Sequence, residues 1–161
     1  MTNQTVEKQT MSEVLTGGCQ CGAIRYQIEG DPLTLAACHC TECQRQSSSA
    51  FGLSMVVAKE AFAITGGGTK QWHRQTPSGA DQTCHFCADC GVRIYHASSG
   101  NPAIYIVKAG TLDDTGALVP AGQIWTGSAQ PWLKDISLAV NDPAQPPDFS
   151  ELIQAWQNHA Q

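Results

Sequence analysis

Gly17-Gly18-Cys19-Gln20-Cys21-Gly22 sets two thiols one residue apart inside a bracket of glycines. In an extended segment alternate side chains face the same way, so Cys19 and Cys21 can both reach one metal ion, and the glycines permit the tight bend. A disulfide between cysteines this close in the chain would be strained. Two further clusters follow, Cys38-His39-Cys40-Thr41-Glu42-Cys43 and Phe86-Cys87-Ala88-Asp89-Cys90-Gly91. The second is a zinc-knuckle pattern, with Gly91 supplying the positive φ after its last thiol. Together the three clusters hold seven of the chain's eight cysteines.

A structural zinc takes four protein ligands, whereas a reactive zinc keeps three and leaves one corner for a substrate. Seven thiols therefore predict one closed site and one open site. The middle cluster can fill three corners alone, leaving Cys19, Cys21, Cys87 and Cys90 to close a four-thiolate site. In the rival grouping Cys19 and Cys21 join two cysteines of the middle cluster, and Cys84, Cys87 and Cys90 form the open trio. Spacing alone allows both.

Composition bounds the rest. The chain has 161 residues, which fits a single zinc-binding domain over 14–161 behind a polar, flexible tail over 1–13. Fifteen glycines and eight prolines favour turns and short strands over long helices. The net charge of −5, with no basic stripe, argues against nucleic-acid binding. No stretch reaches the roughly 18–20 apolar residues of a membrane span, and the polar start resembles no export signal. The expected compartment is the reducing cytoplasm, where clustered cysteines read as metal ligands. The oligomeric state stays open, a homodimer included.

Residues 23–29 (AIRYQIE) alternate apolar and polar, as a half-buried strand does. Residues 33–37, 51–58, 62–65, 70–74, 92–96 and 103–107 are further strand candidates, with turns at 66–68 and 98–102. Residues 41–47 suit a helical turn and 109–114 a tight loop. Asp148, with Glu151 three residues on, starts the one good helix near the C-terminus. His39, between two thiols that face one way, points away from the metal. His73, His85, His96 and His159 lack ligand spacing and read as surface or strand residues. Cys84, outside the clusters, reads as a buried free thiol.

The order G-x-C-x-C-G, then C-H-C-x-x-C followed by Gln44-Arg45, then F-C-x-x-C-G, then Gly110-Thr111-Leu112-Asp113, resembles the glutathione-dependent formaldehyde-activating enzyme family, which is related to centromere protein V. The resemblance runs from about Gly17 to Trp132. It implies a mainly β fold of several short, coiled antiparallel sheets stapled by zinc. It also implies a structural zinc on Cys19, Cys21, Cys87 and Cys90 and a catalytic zinc on Cys38, Cys40 and Cys43. The implied activity is carbon–sulfur lyase chemistry, joining glutathione and formaldehyde as S-hydroxymethylglutathione or cleaving that adduct. Two features depart from the family: the run Ser47-Ser48-Ser49, where relatives often carry glycine, and Gln123, where many carry histidine. Glutathione is anionic, so cations must meet it. Arg45 is the first candidate and Lys108 and Arg25 are weaker ones, with a solvated surface charge an equally good reading of Lys108. The competing function is a non-catalytic, zinc-stabilised binding module, distinguished by a single inert zinc and no glutathione chemistry.

Overall fold

The computed structural model describes residues 14–133 and 136–159; the expected tail over 1–13 lies outside them, as does the side chain of His159. The fold is mainly β. A three-stranded antiparallel sheet has the order β1 (Val14–Gly18), β2 (Arg25–Glu29), β5 (Phe62–Gly66). The larger sheet has eight strands: β3 (Thr34–Cys38), β4 (Gly52–Ala58), β6 (Lys70–Gln75), β7 (Asp81–Phe86), β8 (Arg93–Ser98), β9 (Asn101–Lys108), β10 (Gly122–Ile124) and β11 (Val140–Asn141). Its order is β11-β10-β3-β4-β9-β8-β7-β6. Helix α1 (Thr41–Ser47) follows β3, and α2 (Ser150–His159) closes the described chain.

The short antiparallel strands are as expected, with one addition. β10 pairs parallel to both β3 and β11. Strands of three and two residues are too short to show a period, so neither was visible in the sequence. They form because the connection after β9 carries the chain across to the free edge of β3, beyond the reach of a hairpin.

The core lies between the two sheets. β2 alternates as read, burying Tyr26 and Ile28, while β5 contributes Phe62 and the large sheet Leu35, Met55, Tyr95 and Val107. Phe62 joins the layers: its ring lies 5.3 Å from Tyr26, 4.8 Å from Tyr95 and 5.7 Å from Tyr105, spacings at which tilted aromatic pairs attract. The phenol of Tyr26 finds a partner in Thr111 Oγ1 at 2.8 Å. On the far side, α2 buries Leu152 beside Ala36 and Ile124. Asp148 caps that helix as expected, accepting from Ser150 N at 2.8 Å.

Asp113 ties the small sheet to the loop after β9. It accepts from Arg25 through both oxygens and from Thr16 Oγ1 at 2.6 Å. Arg25 and then Thr16 hold its carboxyl down at about 2, against about 3.9 in an unfolded chain. A depressed acid stabilises above its unfolded value, so this contribution is full above about pH 5 and disappears as pH falls toward about 2. In Asp113→Asn the stability difference from wild type should shrink across that window. Urea titrations at stepped pH read it, and a difference that stays constant would contradict the assignment.

Candidate metal centres

The hairpins β1–β2 and β7–β8 end in two knuckles of closely similar build. In one, Cys19 N donates to Ile24 O at 3.1 Å, and in the other Cys87 N donates to Val92 O at 2.9 Å. Gly22 and Gly91 take φ of +80° and +75°, a conformation a side chain would strain. The knuckles face each other, bringing the sulfurs of Cys19, Cys21, Cys87 and Cys90 within 4.8 Å of one another. Cys21 Sγ lies 3.5 Å from Cys19 Sγ and 3.7 Å from Cys87 Sγ. A tetrahedron with zinc–sulfur bonds of about 2.3 Å has edges of about 3.8 Å, so the quartet fits that ion. These separations are far beyond a disulfide bond of about 2.05 Å, and all eight cysteines are free.

The thiols are primed for ligation. Backbone N–H groups of Val92 and Cys21 hold Cys90 down at about 6. Cys21 accepts from the Ala23 N–H, yet its contacts with Cys19 and Cys90 push it up to about 12. A cation bound among the four sulfurs would displace the thiol protons.

The second group is Cys38, Cys40 and Cys43, again within 4.8 Å, and among the described residues no histidine or carboxylate joins it. Cys38 ends β3, Cys40 is the N-cap of α1, accepting from Cys43 N at 3.3 Å, and Cys43 lies one turn in. Gln46 Nε2 donates to Cys43 Sγ at 3.4 Å. Contacts with Cys38 and Cys43 hold the Cys40 thiol well below its ordinary value. Gly52, opposite Cys38 in β4, lies directly under Cys43: a Cβ there would meet Cys43 Cβ at 3.4 Å, an ordinary packing contact. The rival grouping is excluded, since Cys84 is buried in β7 outside both clusters.

His39 points away from the thiols, as alternation requires. It is 1% exposed, with Nε2 3.0 Å from Gln123 Oε1. Gln123 Nε2 donates to Ile136 O and Asn141 Oδ1, which fixes the amide's orientation and places the imidazole proton on Nε2. Gln123 therefore braces His39, the residue between the trio's first two thiols. Ser48 explains the other departure. It is the C-cap of α1 with φ +49°, a left-handed conformation that glycine enters without strain. Ser48→Gly should raise stability by up to about 1 kcal/mol, read as a higher urea midpoint with the slope unchanged; a loss would contradict this.

The cations divide differently from the sequence reading. Arg25 is engaged by Asp113. Arg45 is 78% exposed, paired to Glu42 at 3.0 Å, and borders a cleft of about 580 Å³ with Gln44, Phe51 and Trp132 among its walls and no cysteine. Lys108 is no surface charge. It pairs with Ser54 in the sheet and is half-buried, burial lowering its ammonium while the nearby thiols of Cys43 and Cys38 oppose that shift. His85 and His96 lie in strands as read, but both are buried. Sequence ranked Lys108 below Arg45 and missed His96 because their environment is made by strands remote in the chain.

The solved structure of a Rhodobacter sphaeroides protein shares the fold, with a TM-score of 0.51, 20% identity, and coverage of 63% of this chain and 91% of that one. The family model described as glutathione-dependent formaldehyde-activating enzyme matches residues 14–128, a span that contains both thiol clusters. With both knuckles and the cysteine trio inside the matched span, the chain belongs to the glutathione-dependent formaldehyde-activating enzyme family.

Proposed function

We propose that the protein is a zinc-dependent carbon–sulfur lyase of the reducing cytoplasm that forms or cleaves S-hydroxymethylglutathione. Two zinc ions per chain serve it: a structural one on Cys19, Cys21, Cys87 and Cys90, and a catalytic one on Cys38, Cys40 and Cys43. The observation that carries the reading is the trio itself, three converging sulfurs with no fourth protein ligand among the described residues. A site with three protein ligands keeps a corner for substrate.

In the forward direction the glutathione sulfur bonds to the carbonyl carbon of formaldehyde, the carbonyl π bond opens, and the thiol proton is transferred overall to the oxygen. Zinc held by the trio would supply a bound, deprotonated yet still nucleophilic substrate sulfur. The chain's own groups do the rest. Lys108 offsets the negative charge of the three thiolates, which removes part of the penalty of gathering them. The Cys43 N–H and Gln46 amide donate to the sulfurs and hold their positions. The His39–Gln123–Asn141 chain fixes the loop between the first two ligands, so the sulfurs need little rearrangement to bind.

Arg45 is proposed as an outer contact for a glutathione carboxylate. Its exposure limits the effect: Arg45→Ala should weaken glutathione binding by about two- to fivefold, more at low salt. Metal analysis combined with calorimetric titration of glutathione and a turnover assay tests the whole reading. Two zinc equivalents with adduct formation support it, while a single zinc with neither binding nor turnover leaves a metal-stapled binding module.

A further inference from the structure

Four side chains on β6, β7 and β8 form one hydrogen-bonded line that ends without an acceptor. Arg74 Nη2 donates to Gln82 Oε1 at 3.0 Å. Arginine has no acceptor, so this bond fixes the glutamine amide, and Gln82 Nε2 must donate to His96 Nδ1, 2.7 Å away. His96 is 4% exposed, and burial, followed by the charges of Lys108, Arg93 and Arg74, keeps its ring neutral. A neutral ring that accepts at Nδ1 carries its proton on Nε2. Facing that N–H, at 3.5 Å, is Nη1 of Arg93, which can only donate. Two donors therefore converge with nothing between them to accept.

The surroundings have the same character. Among the described residues the ion pairs are Arg25–Asp113 and Arg45–Glu42, so Arg74, Arg93 and Lys108 have no carboxylate partner in a chain of net charge −5. Arg93 is steadied from below by Trp72 and Phe86, whose ring centres lie 5.6 Å and 5.9 Å from its guanidinium carbon. These contacts hold the fork in place and leave its N–H groups unspent.

The sheet places this pair beside the thiol trio. Ser54 pairs with Lys108, and Cys38 with Gly52, so Cys38, Gly52, Ser54 and Lys108 share one face. His96 pairs with Ile106, two residues before Lys108 and therefore on that face as well. β4 and β8 both neighbour β9 and so lie about 10 Å apart across the sheet; His96 is level with Val56, four residues along β4 from Gly52, and Lys108, level with Ser54, stands between His96 and the trio.

We infer that the space between His96 Nε2 and the Arg93 guanidinium, flanked by Lys108, is a carboxylate-binding subsite serving the ligand whose sulfur enters the Cys38–Cys40–Cys43 corner. A carboxylate oxygen there satisfies both donors, and Lys108 meets the same charge from the side facing the trio. The identity of the ligand rests on the lyase reading; the need for an anion rests on the donors alone. This subsite, rather than the exposed Arg45, supplies most of the recognition.

The test uses the zinc-loaded protein and S-methylglutathione, which keeps both carboxylates and cannot offer a thiolate. Calorimetry compares wild type with Arg93→Gln, Lys108→Met and the charge-conserving Arg93→Lys. The glutamine and methionine variants should bind about tenfold to a hundredfold more weakly, and the lysine variant should recover part of the loss. Trp72, beneath Arg93, should change its fluorescence on binding, a signal absent in Trp72→Phe. Turnover of glutathione and formaldehyde is measured in parallel. Charge-dependent binding without turnover upholds the subsite and removes the lyase reading. Equal affinities in folded variants, or no binding by wild type, overturn the subsite whatever the turnover shows.

Discussion

Cys87→Ser is expected to yield no stable folded protein. Cys87 is 1% exposed and its sulfur lies 3.7 Å from Cys21 Sγ, at the junction of the β7–β8 knuckle with the β1–β2 knuckle. A serine hydroxyl is a poor zinc ligand and, at that depth, a buried polar group with a lost partner. Structural zinc contributes about 10–16 kcal/mol of apparent binding free energy, whereas a domain of this kind is stable by about 5–15 kcal/mol. Losing most of the first is a loss as large as the whole of the second. The apolar layer around Phe62 and the contacts of Tyr26, Thr16 and Arg25 with the loop after β9 would then have to hold the small sheet to the large one without the metal. Circular dichroism, gel filtration and metal content measure the outcome; a soluble variant with wild-type stability would refute the structural assignment of this quartet.

Cys40→Ser should have the opposite profile, a folded protein that loses function. Cys40 is the N-cap of α1, and its sulfur accepts from the Cys43 N–H at 3.3 Å. Serine is among the preferred N-cap residues, so its oxygen can take over that bond and α1 should persist. The ligand is removed while the cap is kept. The variant should carry about one zinc fewer and lose about a hundredfold or more in turnover of glutathione and formaldehyde, because two thiols hold the ion poorly. Its melting temperature should stay within a few degrees of wild type. Retention of both metals would show that Cys40 is no ligand, and undiminished turnover would place the chemistry elsewhere.

The two substitutions separate the roles of the clusters, and both clusters were legible in the sequence. Ligand geometry explains why. A zinc ion needs sulfurs about 3.8 Å apart, and a two-cysteine jaw on a glycine-flanked turn satisfies that locally, whatever the rest of the chain does. Alternation was equally local, so it marked β2 and turned His39 away from the thiols. The capping signal at Asp148 was readable for the same reason.

What failed to show was always a matter of partners far apart in the chain. The two-residue β11 exists only because β10 offers it an edge. Ser48 could be seen to replace a glycine, but its left-handed turn appeared only when α1 was seated on Gly52. Arg45 was chosen for its place beside the cysteines, yet on the helix it turns to water and to Glu42. Lys108 and His96 carry no motif; register alone brings them near Cys43 and Arg93. The sequence by itself marked the two thiol clusters and the mainly β character, because both are written in spacings of one to three residues. Which jaws pair, and which cations face the open trio, was decided by the tertiary structure, since cross-strand register joins residues that no local pattern can connect.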